Sequence, residues 1–554
     1  MKKNLITKIL IILVLLVAVN SAKAQDVLNG RLSGNFQIEA QSYTKDSLIG
    51  APAVNEKVLS NSFLNLIYTT ANLEVGARYE AYMGPMLGYD PRYKGQGVSY
   101  LYGRYHNEMI DITAGDFYEQ FGSGIIFRAY EQRQIGYDNA VNGVRFKIKP
   151  IDGVQITALA GKQRFYWEQY SGYVRGGDLN INWNDLIGSQ TDAYNWTMGA
   201  SVISKFQADE EPFYNLPSNV LAYSVRSNIQ TDKFSVEGEY AYKYNDPNSV
   251  NKMSFNPGRG LIASASYIPI DGLSASLNYH WIDNMDFRLD RTVTGLSPAL
   301  NFIPPLTKQQ TYRLATAYPF GTQLTGETGI QGEITYKVPK KSLLGGKYGT
   351  DVNFNYSRVY NTDSTNIDDF TYDSPFLGIG KRLLFQELNI DLTRKWNSKL
   401  KSGLTYINQT YDKDYCEFAN AAHYGKIHSN ILILDNTYKF ENDHALRLEL
   451  QHMWAKQDSV LEVPDNLNGN WAMALLEYTI APKFFFAVSD EYNYGNQFTD
   501  RQLHYYSVSA GYIAESTRIQ VSWGRQRDGV VCVGGVCRYV PATNGVYLSI
   551  SSSF

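Results

Sequence analysis

The last ten residues, GVYLSISSSF (545–554), decide how the rest of the chain is read. Val546, Leu548, Ile550, Ser552 and Phe554 fall on one side of an alternation; Gly545, Tyr547, Ser549, Ser551 and Ser553 fall on the other. Successive side chains of a β-strand point to opposite faces, so this is a strand with one apolar and one polar face. The same period recurs upstream. Leu73, Val75, Ala77, Tyr79, Ala81 and Met83 oppose Glu74, Arg78 and Glu80. Phe234, Val236, Tyr240, Tyr242 and Tyr244 oppose Glu237, Glu239 and Lys243, and Leu273, Leu277, Tyr279 and Trp281 oppose Ser274, Ser276 and Asn278. Leu446, Leu448, Leu450 and Trp454 oppose Arg447, Glu449 and Gln451.

Composition narrows what such strands can build. The 554 residues include 43 Tyr, 25 Phe and 8 Trp, and only 19% are charged. This is too aromatic for a disordered chain, and 3 Cys cannot staple a scaffold of this length. Lys2, Lys3 and Lys8 precede an apolar run from Ile9 to Val19, followed by Ala22-Lys23-Ala24. That is the layout of a cleaved secretory signal over residues 1–24, and the run is well short of the roughly 20 residues a spanning helix needs. Its removal takes away four lysines (2, 3, 8 and 23) and no acid, which moves the formal charge from −3 to −7. An acidic exported protein is a poor partner for nucleic acid, and none is expected.

Long alternating strands with charges on the second face suit a bilayer: apolar outside, polar inside, every backbone group paired by closing the sheet. The expected fold is an all-β, transmembrane, antiparallel up-and-down barrel over residues 25–554, without a separate plug or periplasmic domain. Tight connections near Thr70-Ala71, Pro150 to Gly153, Pro269 to Gly272, Asn397-Ser398 and Ala514 to Ser516 alternate with longer polar ones near 84–97, 245–258, 286–297, 361–380 and 527–544. Threading between them predicts about 26 strands, within a range of about 24 to 28, and both termini on the periplasmic side. Stretches 165–216 and 286–345 are the hardest to thread. Outward Tyr242, Tyr244, Tyr279, Trp281, Trp454 and Trp523 cluster at the long-loop end, where an outer aromatic girdle belongs.

Glu74, Arg78, Glu80, Glu237, Glu239, Lys243, Arg447 and Glu449 are the candidate lumen-lining charges. Within GDFYEQFGSGIIFRAYEQRQIGYDNAVNGVRFKIKP (115–150), apolar residues mix with Arg128, Glu131, Arg133, Asp138 and Asn139, and Gly122-Ser123-Gly124 permits a sharp turn. Residues 118–139 are either a loop folded into the barrel, its charges paired with wall residues such as Glu74 and Arg78, or an external loop with its own ion pairs. Residues 165–191, with Arg175-Gly176-Gly177-Asp178, form a second candidate insert. Cys532 and Cys537, five apart in the last external loop, are expected to form a disulfide, and Cys416 to stay unpaired. The seven His show no metal-ligand spacing, no nucleophile elbow or phosphate loop occurs, and neither a catalytic nor a cofactor-binding residue is expected.

Phe554, closing an alternating strand, resembles the C-terminal signal read by the barrel-assembly machinery of bacterial outer membranes. The runs GDFYEQFGSGIIFRAYEQRQIGYDN (115–139), LTKQQTYRLA (306–315), GGKYGT (345–350) and RQRDGVVCVGGVCRYVPATNGVYLSISSSF (525–554) resemble an uncharacterised family of Bacteroidota outer-membrane barrel proteins. The resemblance implies a Gram-negative outer-membrane location in contact with lipid, and supplies no substrate or catalytic residue. The leading expectation is a passage or gated pore. The alternatives are a non-conducting component of a secretion or surface-assembly complex with a partner there, and an outer-membrane enzyme.

Overall fold

In the computed structural model, 24 strands close into one antiparallel barrel in which every strand pairs with its neighbours in sequence. The structure describes residues 25–27, 29–189, 193–293, 299–417, 424–458, 465–533 and 536–554. The expected signal peptide, 1–24, lies outside them. The wall strands, numbered here in chain order, begin with β1 (Gly30–Tyr43), β2 (Val58–Thr69), β3 (Leu73–Tyr82), β4 (Gly95–His106), β5 (Ile110–Phe117) and β6 (Val141–Ile151). Next come β7 (Val154–Phe165), β8 (Tyr173–Asn182), β9 (Asn195–Phe206), β10 (Asn219–Gln230), β11 (Phe234–Lys243), β12 (Gly258–Ile270) and β13 (Leu273–Asp283). The second half holds β14 (Gly326–Val338), β15 (Thr350–Thr362), β16 (Ile379–Lys395), β17 (Leu400–Asp412), β18 (Lys426–Lys439) and β19 (His444–Gln457). The wall ends with β20 (Trp471–Ile480), β21 (Phe484–Tyr492), β22 (His504–Ala514), β23 (Thr517–Gln526) and β24 (Thr543–Ser553).

Closure runs through the C-terminal decapeptide, residues 545–554. β24 pairs with β1 from Asn35↔Ser553 to Tyr43↔Gly545, and Phe554 and Gly34 exchange two backbone hydrogen bonds, 2.9 and 3.0 Å. With no free edge, the backbone polar groups of the wall are satisfied within the sheet, as a bilayer requires. Among the described residues no helix is long and apolar enough to cross a membrane. The short rim is made by local turn chemistry. Asp152-Gly153 and Asp271-Gly272 are two-residue turns with Gly at φ +76° and +81°. Each follows a proline, Pro150 or Pro269, where the ladder register shifts. Proline has no N–H to give, so it sits at these irregularities rather than in the regular ladder.

The count falls at the lower end of the expected range because the described residues of 284–325 (284–293 and 299–325) supply no wall strand between β13 and β14. Within the expected insert 165–191, of which 190 and 191 lie outside the described residues, one segment is corrected the other way. Tyr173–Asn182 pairs with β7 and β9 and belongs to the wall. Gly176 lies mid-strand, where a Cβ would stand 3.0 Å from the Phe121 ring and 2.6 Å from Ile203; the glycine admits another segment against the wall and makes no turn.

Alternation sorts the two faces. On β3, Leu73, Val75 and Tyr79 are exposed outward while Arg78 and Glu80 are buried inward. Trp281 departs from the expected girdle. It shares the outward series with Leu277 but is 0% exposed, because the 363–378 connection folds back over the outer wall. Phe376 packs edge-on at 5.1 Å, and Tyr372 donates to Asp283 at 2.7 Å. The inner face is also not uniformly polar. Val174, Ile203, Val220, Ala222, Ala241 and Ile282 form one buried apolar patch, and Ile407, Ile431, Ile433, Met453 and Trp471 belong to a second.

Candidate functional site

Those patches are covered by two strand connections. Residues 118–140, joining β5 to β6, contribute Phe121, Ile125, Ile126 and Phe127 to the first cluster, and Met285, Phe287, Leu289, Leu300 and Ile303 of 284–325 join them. Leu306, Leu314, Ala315, Tyr318 and Phe320, further along 284–325, fill the second. Apolar residues on both the connections and the inner wall are removed from water together, which accounts for a lining that a water-filled channel would not keep.

Polar contacts fix where the first connection lies. Glu131 and Asp138 both pair with Arg78 of β3, the former at 2.8 Å. Arg164 of β7 bridges Asp138 at 2.6 Å and Glu80 of β3 at 2.8 Å. Arg133 pairs with Glu131 at 2.9 Å and lies 4.4 Å over the Phe63 ring of β2. The Ser123 amide donates to Glu239 of β11 at 2.7 Å. One segment touching β2, β3, β7 and β11 has to cross the interior. Arg78, Glu80 and Arg164 are 4%, 1% and 6% exposed. Burial works against the Asp138 carboxylate, but Arg164 and Arg78 outweigh it and hold its pKa below the ordinary value.

The second connection spans the rest. Lys205 of β9 donates to the Arg288 carbonyl and pairs with Asp246 at 2.7 Å; Lys243 of β11 donates to the Asp286 carbonyl. Farther on, Gln310 donates to Asn389 of β16 at 2.7 Å, the Leu314 amide to Gln451 of β19 at 2.8 Å, and Arg313 pairs with Glu491 of β21 at 2.6 Å. The two connections also bond each other. Arg128 N donates to Leu300 O at 2.7 Å, Phe302 N to Gly124 O at 3.0 Å, and the Asn301 amide to Ile125 O at 3.0 Å. Asn139 donates to Ala299 O and Arg128 O, both at 3.0 Å. Among the described residues Arg128 makes no wall ion pair: its guanidinium lies 4.3 and 4.4 Å from the ring centres of Tyr130 and Phe302.

The other candidates fall outside this interlock. Glu74 accepts from Tyr102 of β4 at 2.6 Å and pairs with nothing in the connection. Glu237 accepts from Ser264 at 2.8 Å. Arg447 pairs with Asp435 at 2.9 Å and with Glu449. Cys532 and Cys537 are disulfide-bonded across a hairpin of Gly529–Val533 and Val536–Val540, while Cys416 is free. Several cavities flank the connections, two of the larger ones among them. One of about 360 Å³ is bounded by Pro304, Arg313, Tyr318 and Phe320 and by Arg527 to Cys532; one of about 420 Å³ lies beneath Gln120 to Ser123. Among the described residues no group of three or more His, Cys, Asp or Glu is placed to hold a metal ion. The sequence reading misses Arg164, Lys205, Asp246 and the place of 284–325 inside the barrel; it expects only a longer polar connection near 286–297. The available signal was the loss of period two around Pro304-Pro305 and Pro319.

A family model matches residues 1–554. The chain belongs to the family of unknown function DUF6029. No curated protein matches it. Among solved structures it is similar to the siderophore receptor PirA from Pseudomonas aeruginosa, at 12% identity and a TM-score of 0.42, over 96% of this chain and 81% of that one. It is similar to the P pilus usher PapC translocation pore at 9% identity and a TM-score of 0.42, over 94% of this chain and 98% of the other. The corresponding figures for OpdQ of Pseudomonas aeruginosa are 9%, 0.34, 95% and 98%.

Proposed function

We propose that this barrel sits in the outer membrane of a Gram-negative bacterium, with both termini on the periplasmic side, and acts as a gated passage shut by two of its own connections. The carrying observation is the interlock of 118–140 with 284–325 inside a wall of 24 strands. About 22 strands already enclose a lumen that needs a plug, so a barrel of this size is wide enough to pass solute once cleared. The first connection is joined to the wall by side-chain pairs at Arg78, Arg164 and Glu239 rather than by a β-ladder, so it can leave without opening the barrel.

A second reading, a permanently filled barrel serving as a docking or structural component, is favoured by the two apolar clusters that cement the connections to the wall. Uptake by cells separates the two. Cells producing a variant with 118–139 replaced by a short Gly-Ser linker are expected to admit a large hydrophilic dye that wild-type producers exclude. Equal exclusion, with the variant folded in the outer membrane, supports the docking reading.

A further inference from the structure

Under the tip of the first connection the inner face of β8 to β11 keeps a cavity of about 420 Å³, roofed by Gln120, Gly122 and Ser123. Its charges do not balance. Arg226 of β10 stands directly across the ladder from Glu239, yet its guanidinium turns away, donating to Ser201 at 2.6 Å, Asp178 at 2.8 Å and Asn180 at 2.5 Å. Glu239 is 4% exposed and meets no cation among the described residues. One of its oxygens accepts from the Ser123 amide at 2.7 Å; the other accepts no hydrogen bond. Glu237, on the same face, also has no ion-pair partner among the described residues and accepts from Ser264 alone. Gly122, at φ +52°, lies so close that a Cβ would stand 2.5 Å from both Glu239 oxygens. The roof is therefore seated on the carboxylate itself.

A buried carboxylate without a counter-charge is costly, and what this cavity lacks is a positive group. A single metal ion does not fit. Only two carboxylates face the cavity without a counter-charge, and among the described residues no group of three or more His, Cys, Asp or Glu is placed to hold a metal ion. An alkylammonium or guanidinium group presents several N–H donors and fits the space, with the inward Ile262 beside its stem.

We propose that this vestibule binds an organic cation, with Glu239 and Glu237 as its counter-charges. The cation competes with the Ser123 amide for Glu239, so its arrival weakens the seat of the connection above. As a statement about cargo or gating this rests on the gated-passage reading. As a statement about binding it stands alone, so the test is equilibrium binding and not conductance.

The full-length barrel, purified in detergent at low salt, is titrated calorimetrically with spermidine, with a tetralysine peptide and with uncharged triethylene glycol. Saturable binding of spermidine or the peptide is expected, with none for the glycol. Glu237→Gln, which touches no part of the connection, is expected to weaken binding about tenfold or more, the worth of one charge-assisted hydrogen bond. Glu239→Gln is the second variant, and Glu441→Gln on a distant turn is expected to change nothing. Tighter binding of the peptide assigns the cation to a partner's side chain; tighter binding of spermidine assigns it to a free solute. Absence of both cations from the wild type, or unchanged affinity in both vestibule variants, overturns the proposal.

Discussion

Arg164 and Asp138 meet at 2.6 Å, although one belongs to the barrel wall and the other to a connection that crosses the interior. Glu80 holds the other arm of the same guanidinium at 2.8 Å, and Arg78 closes the group from the Glu80 and Asp138 sides. Two arginine and two carboxylate side chains, all nearly out of water, tie the plug to β3 and β7.

Removing one partner from such a group leaves charge buried and unpaired, at a cost of about 3–5 kcal/mol. Arg164→Met is therefore expected to release 118–140 while the wall stays closed. Limited trypsin digestion checks this: cleavage at Arg128 or Arg133 is expected in the variant and not in the wild type. Equal protection would mean that the ion pairs do not hold the connection.

The same pairs set a pH window. The folded pKa of Asp138 lies below its unfolded value, so its stabilisation is present above the ordinary carboxylate range, about 3.9, and is lost as pH falls through the folded value. Exchange protection of residues 128–138, corrected for intrinsic rates, is expected to be the same at pH 7 and pH 5. It should fall only in stronger acid, and Asp138→Asn should show the loss already at pH 7. A loss between pH 7 and pH 5 in the wild type would point to a different group.

How much of this could be read in advance follows from the range of the interactions. The wall is written locally. Alternation marks strands such as Leu73–Tyr82, and the Pro-Ile-Asp-Gly runs at 150–153 and 269–272 mark two turns. The plug is written at long range. Arg164 lies 26 residues from Asp138 and 84 from Glu80, and no local pattern joins them. A partial signal does exist in Ile431-Leu432-Ile433-Leu434. An unbroken apolar run within a strand means that both faces are buried, and here Leu432 and Leu434 face outward while Ile431 and Ile433 face the plug. The stretch 286–345 resisted threading into strands because, among its described residues, only Gly326–Val338 belongs to the wall.

Packing should matter as much as charge. Phe121 is fully buried, 5.3 Å from the Phe127 ring, and cutting it to alanine removes about 3–5 kcal/mol from the cluster. Phe121→Ala is expected to raise hydrogen exchange across 118–140 and to leave β5 and β6 protected. Exchange that rises equally in those strands would show that the connection and the wall unfold as one unit.

The proposed orientation has its own check. An epitope placed in the 207–218 connection, on the long-loop rim, is expected to bind antibody on intact cells. One placed in the 396–399 turn should do so only after the outer membrane is opened. The reverse pattern would invert the assigned topology.

The central claim is that 118–140 and 284–325 close a passage that is otherwise wide enough to conduct. Planar-bilayer recording of the purified protein tests it most directly. Wild type is expected to stay shut at low voltage, and the variant carrying a short linker in place of 118–139 is expected to show stable, stepwise conductance. A folded, membrane-inserted variant that remains as silent as wild type would contradict the account.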